Sequence, residues 1–439
     1  MIDKTREIAL KTLYRIDKEQ AYSNIELNEQ IKQNRKILNE KDIGLLSEIV
    51  YGVTTWKLTL DEIIKKYSKI RLKKISPWII NILRMGIYQI IFLDKIPKSA
   101  AVNESVNLAK RYGHSSSSNF VNAILRKVEK TDYEEFFKIE DDVERISKTT
   151  SMPKWIIEEL MKNNNLEQVE EICKNSNLKP NISIRVNRLK ITKKELIEKL
   201  EQKGIECKKI QCEDKNKSDV EDFLILNRFK NIESLQEFKD GLFTIQDISA
   251  GQTAKLLNPR PGEKVLDACS APGGKTTYMA ELMDNEGEID AWDIHEHRTK
   301  LVEQNANRLG IKIIKTCVKD SSIYDEKMKE KYDKILLDVP CLGIGVIKRK
   351  PDIKWQRKPE DVEKITDIQL KILENCAKYL KSGGSLVYST CSILNEENEK
   401  VVNKFLDEND QFYINKKETL NILPNMEKDG FFMCKIYKK

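Results

Sequence analysis

The sequence is poor in the residues that define several specialised protein classes. Its 439 residues include 17 glycines and 11 prolines, too few for a collagen-like or linker-dominated chain. It has only three histidines, His114, His295 and His297, which leave a cysteine–histidine protease without a visible third member. Hydrophobic residues make up 40% of the chain, enough to bury cores, so disorder throughout is excluded. The length predicts about two to four domains.

No apolar run is long enough to cross a membrane. The most apolar run, 78–93, contains Asn81, Arg84 and Gln89, whereas a spanning helix needs about 20 apolar residues. Nine cysteines, an odd number spread over the chain, argue against a disulfide scaffold, and the first residues have no apolar signal region. We therefore expect a cytoplasmic protein that contacts no membrane and shows no sign of an obligate protein partner.

Positive charge is concentrated in the first third of the chain. Residues 1–130 hold 24 Lys and Arg against 14 Asp and Glu, a net charge of +10, whereas residues 151–439 hold 50 against 49. A basic domain joined to a neutral one favours binding to a polyanion, of which nucleic acid is the commonest. A lysine-rich surface without a partner would have the same composition, so charge alone leaves both interpretations open.

The hydrophobic pattern changes along the chain. Apolar residues recur at helical spacing throughout 1–130, and Ser76 followed by Pro77 is typical of a helix start. Residues 181–187 alternate like a strand within a small α+β module. From Lys264 onward short apolar strands alternate with helices, which predicts a mostly parallel, doubly wound sheet. We predict strands at 265–268, 288–293, 311–316, 334–338 and 386–390.

A glycine-rich loop follows the first strand of this region and precedes a helix. Gly273 and Gly274 let backbone approach a ligand, and the helix start favours a negative group such as a carboxylate. A triphosphate-binding loop would need glycine at position 269, where Cys269 stands, and the dinucleotide fingerprint is absent. The two glycines taken alone would favour an ordinary turn that closes a strand–helix loop.

Acidic residues lie at or just beyond the ends of four of the predicted strands. They are Asp267, Asp293, Asp320 and Asp338. The carboxyl ends of parallel strands meet at one edge of a sheet, so we expect these side chains to lie near one ligand, with Asp293 suited to ribose hydroxyls. A single strand-end aspartate is more often a helix cap or a turn former.

Two cysteines follow neighbouring predicted strands on the same edge. Cys341 ends the sequence Asp-Val-Pro-Cys and Cys391 follows Ser389-Thr390. An isolated cysteine is usually a small inert hydrophobe, but two at one edge indicate thiolate chemistry. The cysteines lack the spacing of a zinc site, so we expect no metal.

These motifs resemble those of S-adenosylmethionine-dependent RNA (cytosine-5) methyltransferases. The resemblance covers the loop 269–275, the Pro-Cys and Thr-Cys motifs and Asp429-Gly430-Phe431-Phe432 near the C-terminus. Helical segments at 105–110 and 120–127 are similar to the fold of the antitermination factor NusB. Together they imply an all-α NusB-like bundle at 1–140, a small α+β RNA-binding module at 141–240 and a Rossmann-like class I methyltransferase domain at 241–439.

The resemblance also implies roles for individual residues. Cys391 would attack C6 of the cytosine, Cys341 would help remove the C5 proton or release the adduct, and Asp338 would bind the base edge and border the methyl donor. Asp293 would bind the ribose hydroxyls and Asp320 would lie near the adenine. The remaining residues expected to hold S-adenosylmethionine are Cys269, Ser270, Ala271, Pro272, Gly273, Gly274 and Lys275.

The implied substrate is a cytosine in 16S ribosomal RNA, flipped out of its stack to reach the thiol. Arg185 and Asn187 of the small module and Lys348-Arg349-Lys350 are expected to hold RNA or to add positive charge near the site. Two alternatives remain open: the same reaction on transfer RNA, and a non-catalytic RNA-binding ribosome-assembly factor.

Overall fold

The structure, a computed structural model, describes residues 3–210, 221–227 and 232–439. Its contacts divide the chain into two compact units. The helical unit comprises residues 1–178 and 347–359, and the sheet unit comprises 179–346 and 360–439. The three-domain division expected from the sequence stays a prediction, and 211–220 and 228–231 of its central module lie outside the described residues.

The helices of the described residues, in chain order, are α1 (Lys4–Lys18), α2 (Ser23–Gln33), α3 (Glu40–Thr55), α4 (Lys57–Tyr67), α5 (Pro77–Phe92), α6 (Lys98–Tyr112), α7 (Ser117–Leu125), α8 (Thr131–Glu134), α9 (Asp142–Thr150), α10 (Lys154–Met161), α11 (Leu166–Asn175), α12 (Lys193–Glu201), α13 (Gln236–Lys239), α14 (Ile248–Leu257), α15 (Gly274–Leu282), α16 (Glu296–Leu309), α17 (Ile353–Gln356), α18 (Glu360–Ala377) and α19 (Glu399–Asp407). The strands are β1 (Ile182–Val186), β2 (Glu206–Lys209), β3 (Phe223–Asn227), β4 (Phe243–Ile245), β5 (Lys264–Asp267), β6 (Glu288–Asp293), β7 (Ile314–Val318), β8 (Tyr332–Asp338), β9 (Leu380–Thr390), β10 (Phe412–Ile422) and β11 (Phe431–Lys438).

The helical unit packs around the apolar helix α5. Ser76 caps its first turn, with Oγ accepting a hydrogen bond from the Ile79 backbone N–H, and Pro77 occupies the first helical position as predicted. The buried Arg84 in this helix pairs with Asp17 at 2.6 Å and Asp61 at 2.7 Å. These carboxylates offset the cost of burying its charge. None of the described helices is both long enough and apolar enough to cross a membrane.

The segment 347–359 packs within the helical unit although it follows β8 in the chain. Lys354 is buried there, and its Nζ donates to the carbonyl oxygens of Thr150 and Ser151 and, at 2.6 Å, to Asn177 Oδ1. Burial lowers the pKa of Lys354 to about 7. Trp355 Nε1 donates to Thr54 O at 2.7 Å.

The sheet unit contains two sheets among its described residues. The smaller is antiparallel in the order β2-β3-β1-β4. The larger has the order β10-β11-β9-β8-β5-β6-β7, in which β9, β8, β5, β6 and β7 are parallel and β10 and β11 are antiparallel. The predicted mostly parallel Rossmann-like sheet is therefore confirmed. The strand β6 has the predicted bounds, whereas β7 begins and ends later than predicted.

Helices cover both faces of the larger sheet because alternate strand residues are apolar on both sides. Leu266 and Leu337 face a core shared with Leu373 of α18. Val265 and Leu336 face the opposite core, which contains Tyr278 of α15. Burial on both faces is typical of a parallel sheet in a doubly wound fold.

Candidate active site

The candidate site lies at the carboxyl ends of the parallel strands. The strand order reverses at β5, because the chain continues to β6 on one side and later adds β8 on the other. A crevice forms at such a reversal, and ligands bind there in doubly wound sheets. A pocket of about 520 Å³, its open mouth included, lies at this point. It is lined by Ile245, Gln246, Ala250, Asp267, Cys269, Ser270, Ala271, Pro272, Gly274, Lys275 and Asp338.

The loop 269–275 forms one wall of the pocket and is held from outside. Ser270 donates to the Trp292 carbonyl through its N–H at 2.8 Å and its hydroxyl at 3.0 Å. Asn305 of α16 donates to the Pro272 carbonyl at 2.9 Å. Gly273 has a φ of 98°, which favours glycine, and a Cβ there would lie 3.1 Å from Val302 Cα. The loop is therefore fixed against α16 before any ligand binds.

Lys275 and Asp338 form an ion pair inside the pocket. Lys275 Nζ lies 2.7 Å from Asp338 Oδ2 and 4.9 Å from the ring centre of Phe431. Burial alone would lower the pKa of Lys275, but the Asp338 carboxylate outweighs it and the net shift of the pKa is upward. Ser389 donates to the other Asp338 oxygen at 3.1 Å. Asp338 is thus oriented from both sides.

The two predicted cysteines lie side by side. Cys341 follows β8 and Cys391 follows β9, its parallel neighbour; their Sγ atoms are 3.0 Å apart, and neither cysteine forms a disulfide. The pKa of Cys341 is well above its ordinary value, first because of its hydrogen bond with Cys391 and second because of burial. The Cys391 sulfur also attracts Lys275 electrostatically. Cys341 therefore keeps its proton at neutral pH.

A buried carboxylate joins the loops that carry the two cysteines. Glu397 is fully buried and accepts hydrogen bonds from Leu342 N–H at 2.9 Å, Gln369 Nε2 at 3.0 Å and the Ser392 hydroxyl. Leu342 follows Cys341 and Ser392 follows Cys391, so one side chain fixes both loops. The role of Glu397 was not predictable from the sequence, because the residue lies in the charged run 396–400, which has the pattern of a solvated helix start.

Backbone contact between two glycines supports the Cys391 loop. Gly345 N–H donates to the Cys391 carbonyl at 3.0 Å, and Gly430 N–H donates to the Gly345 carbonyl at 2.8 Å. A Cβ on Gly345 would overlap the Gly430 carbonyl and lie 2.9 Å from Cys391 O. The Asp-Gly-Phe-Phe motif noted in the sequence thus supplies a close backbone approach.

The remaining predicted acids occupy different surroundings. Asp267 is fully buried, and burial raises its pKa from 3.8 to about 7, although a hydrogen bond from Thr276 at 2.7 Å opposes the rise. Asp293 ends β6, where one oxygen pairs with Arg298 at 3.3 Å. Asp320 is exposed and accepts two hydrogen bonds from Ser322. Asp320 therefore forms a local turn, and neither it nor Asp293 lines the pocket.

Two residues expected to hold RNA have structural roles instead. Arg185 and Asn187 are fully buried. Arg185 pairs with the buried Glu281 at 2.7 Å and donates to the Gly274 carbonyl at 2.8 Å. Asn187 donates to the carbonyls of Gly241 and Leu309. The expectation was wrong because Arg185, the basic residue of β1, faces the helix α15 rather than solvent.

Among the described residues, no group of three or more histidine, cysteine or acidic side chains could hold a metal ion. The basic run 348–350 belongs to the segment that packs in the helical unit, and Lys348 is buried there.

Comparison with known proteins matches three family models to separate parts of the chain. A model described as 16S rRNA methyltransferase RsmB/F matches residues 254–437. A NusB family model matches residues 3–130, and a ferredoxin-like domain model of the RsmF/B-like methyltransferases matches residues 152–215. The NusB-like and methyltransferase parts predicted from the sequence are thereby confirmed.

The chain is also similar to whole proteins. It is 38% identical to the probable ribosomal RNA small subunit methyltransferase B of Bacillus subtilis, over 99% of this chain and 98% of the relative. A solved structure named PH0851 matches with a TM-score of 0.81 and 26% identity over the whole of both chains. A methyltransferase homologue from Pyrococcus horikoshii matches with a TM-score of 0.60 and 31% identity, over 69% of this chain and 100% of that one.

Proposed function

The chain belongs to the ribosomal RNA small subunit methyltransferase B family, and from that premise we propose that it methylates C5 of a cytosine in 16S ribosomal RNA. S-adenosylmethionine is the proposed methyl donor. The observation that carries this proposal is the pair of thiols, Cys341 and Cys391, 3.0 Å apart beside Asp338. One thiol is sufficient for a simple nucleophile, whereas two support attack followed by release.

In the proposed reaction Cys391 is the nucleophile. Cytosine C5 is a weak nucleophile while the ring is aromatic, so the Cys391 thiolate first forms a bond to C6. The electron pair displaced from the C5–C6 double bond makes C5 nucleophilic. S-adenosylmethionine supplies an electrophilic methyl group that C5 takes up, and S-adenosylhomocysteine leaves with the electron pair of the broken carbon–sulfur bond.

Cys341 is proposed to complete the reaction. Its pKa is held high first by the hydrogen bond with Cys391. When the Cys391 sulfur becomes bonded to C6 it loses its negative charge, so this cause disappears and the pKa of Cys341 falls. Cys341 then releases its own proton to water, and the resulting thiolate accepts the C5 proton, directly or through water, while the bond from Cys391 to C6 breaks and the ring regains its double bond.

Asp338 and Lys275 are proposed to hold the base and the charge. The Asp338 carboxylate, oriented by Lys275 and Ser389, accepts hydrogen bonds from the N4 amino edge of the cytosine. Lys275 favours the thiolate of Cys391, to which it is electrostatically coupled. The Lys275 cation stabilises the negative charge that passes from the sulfur to the ring, while the Asp338 carboxylate positions the base.

The pocket residues suit the proposed donor. The loop 269–275 and the start of α15 present backbone and a glycine surface to the ligand. We propose that Asp293, at the end of β6, binds the ribose hydroxyls. We propose that Asp320 lies near the adenine. Its carboxylate would then interact with the ligand while it still accepts the hydrogen bond from the Ser322 N–H. The residues present therefore fit a nucleoside with an amino-acid tail.

The substrate proposal rests on charge and on the relatives. Residues 1–130 carry a net charge of +10 and match the NusB family model, which supports a contact with an RNA backbone. The Bacillus subtilis relative is named a ribosomal RNA small subunit methyltransferase. We propose 16S ribosomal RNA on these two grounds.

The test is transfer of a labelled methyl group. The purified chain is incubated with labelled S-adenosylmethionine and unmodified 16S transcript, with transfer RNA as competitor and Cys391→Ala as the control protein. The proposal expects label at C5 of one cytosine of the 16S transcript. Label on another base or on transfer RNA alone, or equal label with the control protein, would contradict it.

A further inference from the structure

One side chain in the pocket has a hydrogen-bond donor with nothing to bind. Gln246 follows β4 and is 7% exposed, and its Nε2 atom is buried without a partner among the described residues. Buried polar groups are almost always hydrogen-bonded, because an unpaired one has lost its water without replacement. Gln246 also lines the pocket at the end of β5. Its amide is therefore a donor that awaits an acceptor from a ligand.

The orientation of this amide is fixed by a neighbouring cation. Arg185 Nη1 donates to Gln246 Oε1. A guanidinium has no acceptor, so the amide oxygen must face Arg185 and the NH₂ group must face away from it. Arg185 is itself held by Glu281 at 2.7 Å and by the Gly274 carbonyl at 2.8 Å. The amide cannot turn over without breaking this buried network.

The backbone of Gln246 is equally constrained. Its N–H donates to the Ser183 carbonyl at 3.2 Å, and the Ser183 hydroxyl donates to its carbonyl at 2.7 Å. Ser183 belongs to β1, which pairs with β4. The small sheet therefore positions the Gln246 amide at the pocket, as it also positions the side chain of Arg185.

The NH₂ group lies beside the start of the helix α15. A Cβ added to Gly274, the first residue of α15, would lie 3.5 Å from Gln246 Nε2. The first turn of this nine-residue helix has N–H groups that lack helical partners, and the helix dipole favours a negative group there. A ligand atom that satisfies Nε2 is therefore an acceptor, and the helix start selects an anionic one.

We infer that Gln246 Nε2 donates a hydrogen bond to the carboxylate of the amino-acid tail of S-adenosylmethionine. The inference rests on the proposed function, because it assumes that this donor occupies the pocket. The carboxylate is the anionic acceptor of that molecule. Its ammonium group is a donor and cannot satisfy Nε2. Gln246 is then a binding residue that contacts the amino-acid tail of the ligand and not its nucleoside.

The test compares two ligands by calorimetry in the full chain. S-adenosylhomocysteine has the carboxylate, whereas 5′-methylthioadenosine keeps the nucleoside and sulfur but lacks the tail. Gln246→Glu keeps an oxygen for Arg185 and replaces the donor with a second acceptor. We expect its Kd for S-adenosylhomocysteine to rise roughly 10- to 100-fold, the range for a charged hydrogen bond. Its Kd for 5′-methylthioadenosine should stay unchanged. Gln252→Glu is the matched control, since Gln252 is also buried but does not line the pocket.

The outcomes separate this inference from the proposed function. Equal losses for both ligands, or no loss for either, would overturn the role of Gln246. An unaltered chain that binds neither ligand would overturn the proposed function instead. If Gln246→Glu does not fold, Gln246→Met removes the donor with a side chain of similar length.

Crystals of the unaltered chain with S-adenosylhomocysteine give an independent result, in which the carboxylate should lie about 3 Å from Nε2. A carboxylate bound elsewhere would contradict the inference.

Discussion

Cys341 Sγ and Cys391 Sγ lie 3.0 Å apart at the ends of two neighbouring parallel strands, and the hydrogen bond between them raises the pKa of Cys341. In the proposed reaction this hydrogen bond is lost when the Cys391 sulfur bonds to C6, which would lower the pKa of Cys341 for the later step.

The first prediction separates the two thiols. Cys391→Ala should abolish methyl transfer and form no adduct, because the proposed nucleophile is removed. Cys341→Ala should still attack but release slowly, so it should accumulate a denaturant-resistant protein–RNA adduct, measured by gel electrophoresis with labelled RNA. Cys376→Ala, a change of a buried cysteine in the core, is the control. An adduct with Cys391→Ala would mean that the roles are reversed.

The second prediction concerns Glu397, which holds both cysteine loops. Glu397→Gln replaces an acceptor oxygen with a donor that faces other donors, so the loops that carry Cys341 and Cys391 should shift. A misplacement of about 1 Å can lower kcat about 100-fold. We expect that loss in single-turnover methylation, with the affinity for S-adenosylhomocysteine unchanged. Glu396→Gln, whose carboxylate pairs with Lys400 at 3.0 Å, should retain activity. Comparable losses in the two variants would argue against the positioning role.

The third prediction uses the close approach of Gly345 to Gly430. Gly345→Ala should displace the Cys391 loop, because a Cβ there overlaps the Gly430 carbonyl. We expect lower methylation activity and a lower melting temperature. Gly44→Ala is the control, since no atom lies within 4 Å of its added Cβ. In the helix α3 it should stabilise the chain by up to about 1 kcal/mol. Normal activity in Gly345→Ala would show that the loop tolerates displacement.

The fourth prediction tests the buried pair of Arg185 and Glu281. Both side chains are fully buried, so removing one partner leaves an uncompensated charge. Arg185→Met should lower the free energy of unfolding by about 3–5 kcal/mol, measured with denaturant. Combining it with Glu281→Met removes the second charge and should recover part of that loss. A double variant less stable than Arg185→Met would contradict this account.

The fifth prediction is a pH dependence that comes from Asp267. Burial raises its pKa from 3.8 to about 7, so the folded chain binds a proton that the unfolded chain releases between these values. Its contribution to stability is therefore full below pH 4 and is lost as the pH rises to 7, with a slope of at most about 1.4 kcal/mol per pH unit. Asp267→Asn should flatten the unfolding free energy across pH 5–7 relative to the unaltered chain, whereas the exposed Asp410→Asn should not. Parallel curves for Asp267→Asn and the unaltered chain would refute the shift.

Much of the fold was predictable because it depends on local patterns. Patterns in neighbouring residues predict the helix start at Ser76-Pro77, the helices of 1–130 and the strand at 288–293. The common edge of the strands that precede Cys341 and Cys391 follows from parallel topology. These features need no knowledge of distant contacts.

The supporting residues were not predictable because their partners are far away in the chain. Arg185 meets Glu281 across 96 positions, and a basic residue in an alternating strand has the pattern of a solvent-facing one. The position of Gln246 in the pocket becomes evident only when the fold brings it next to Arg185 and Gly274. Glu397 looks like a surface charge until its hydrogen bonds to the two cysteine loops are known.

The packing of 347–359 within the helical unit has a consequence for any attempt to take the chain apart. A fragment that stops at 178 would lack Lys354 and Trp355 and would expose the carbonyl groups of Thr54 and Thr150 that they cover. A fragment that starts at 179 would contain residues 347–359 without the helices against which they pack. We therefore expect each fragment to be less stable than the corresponding unit of the full chain.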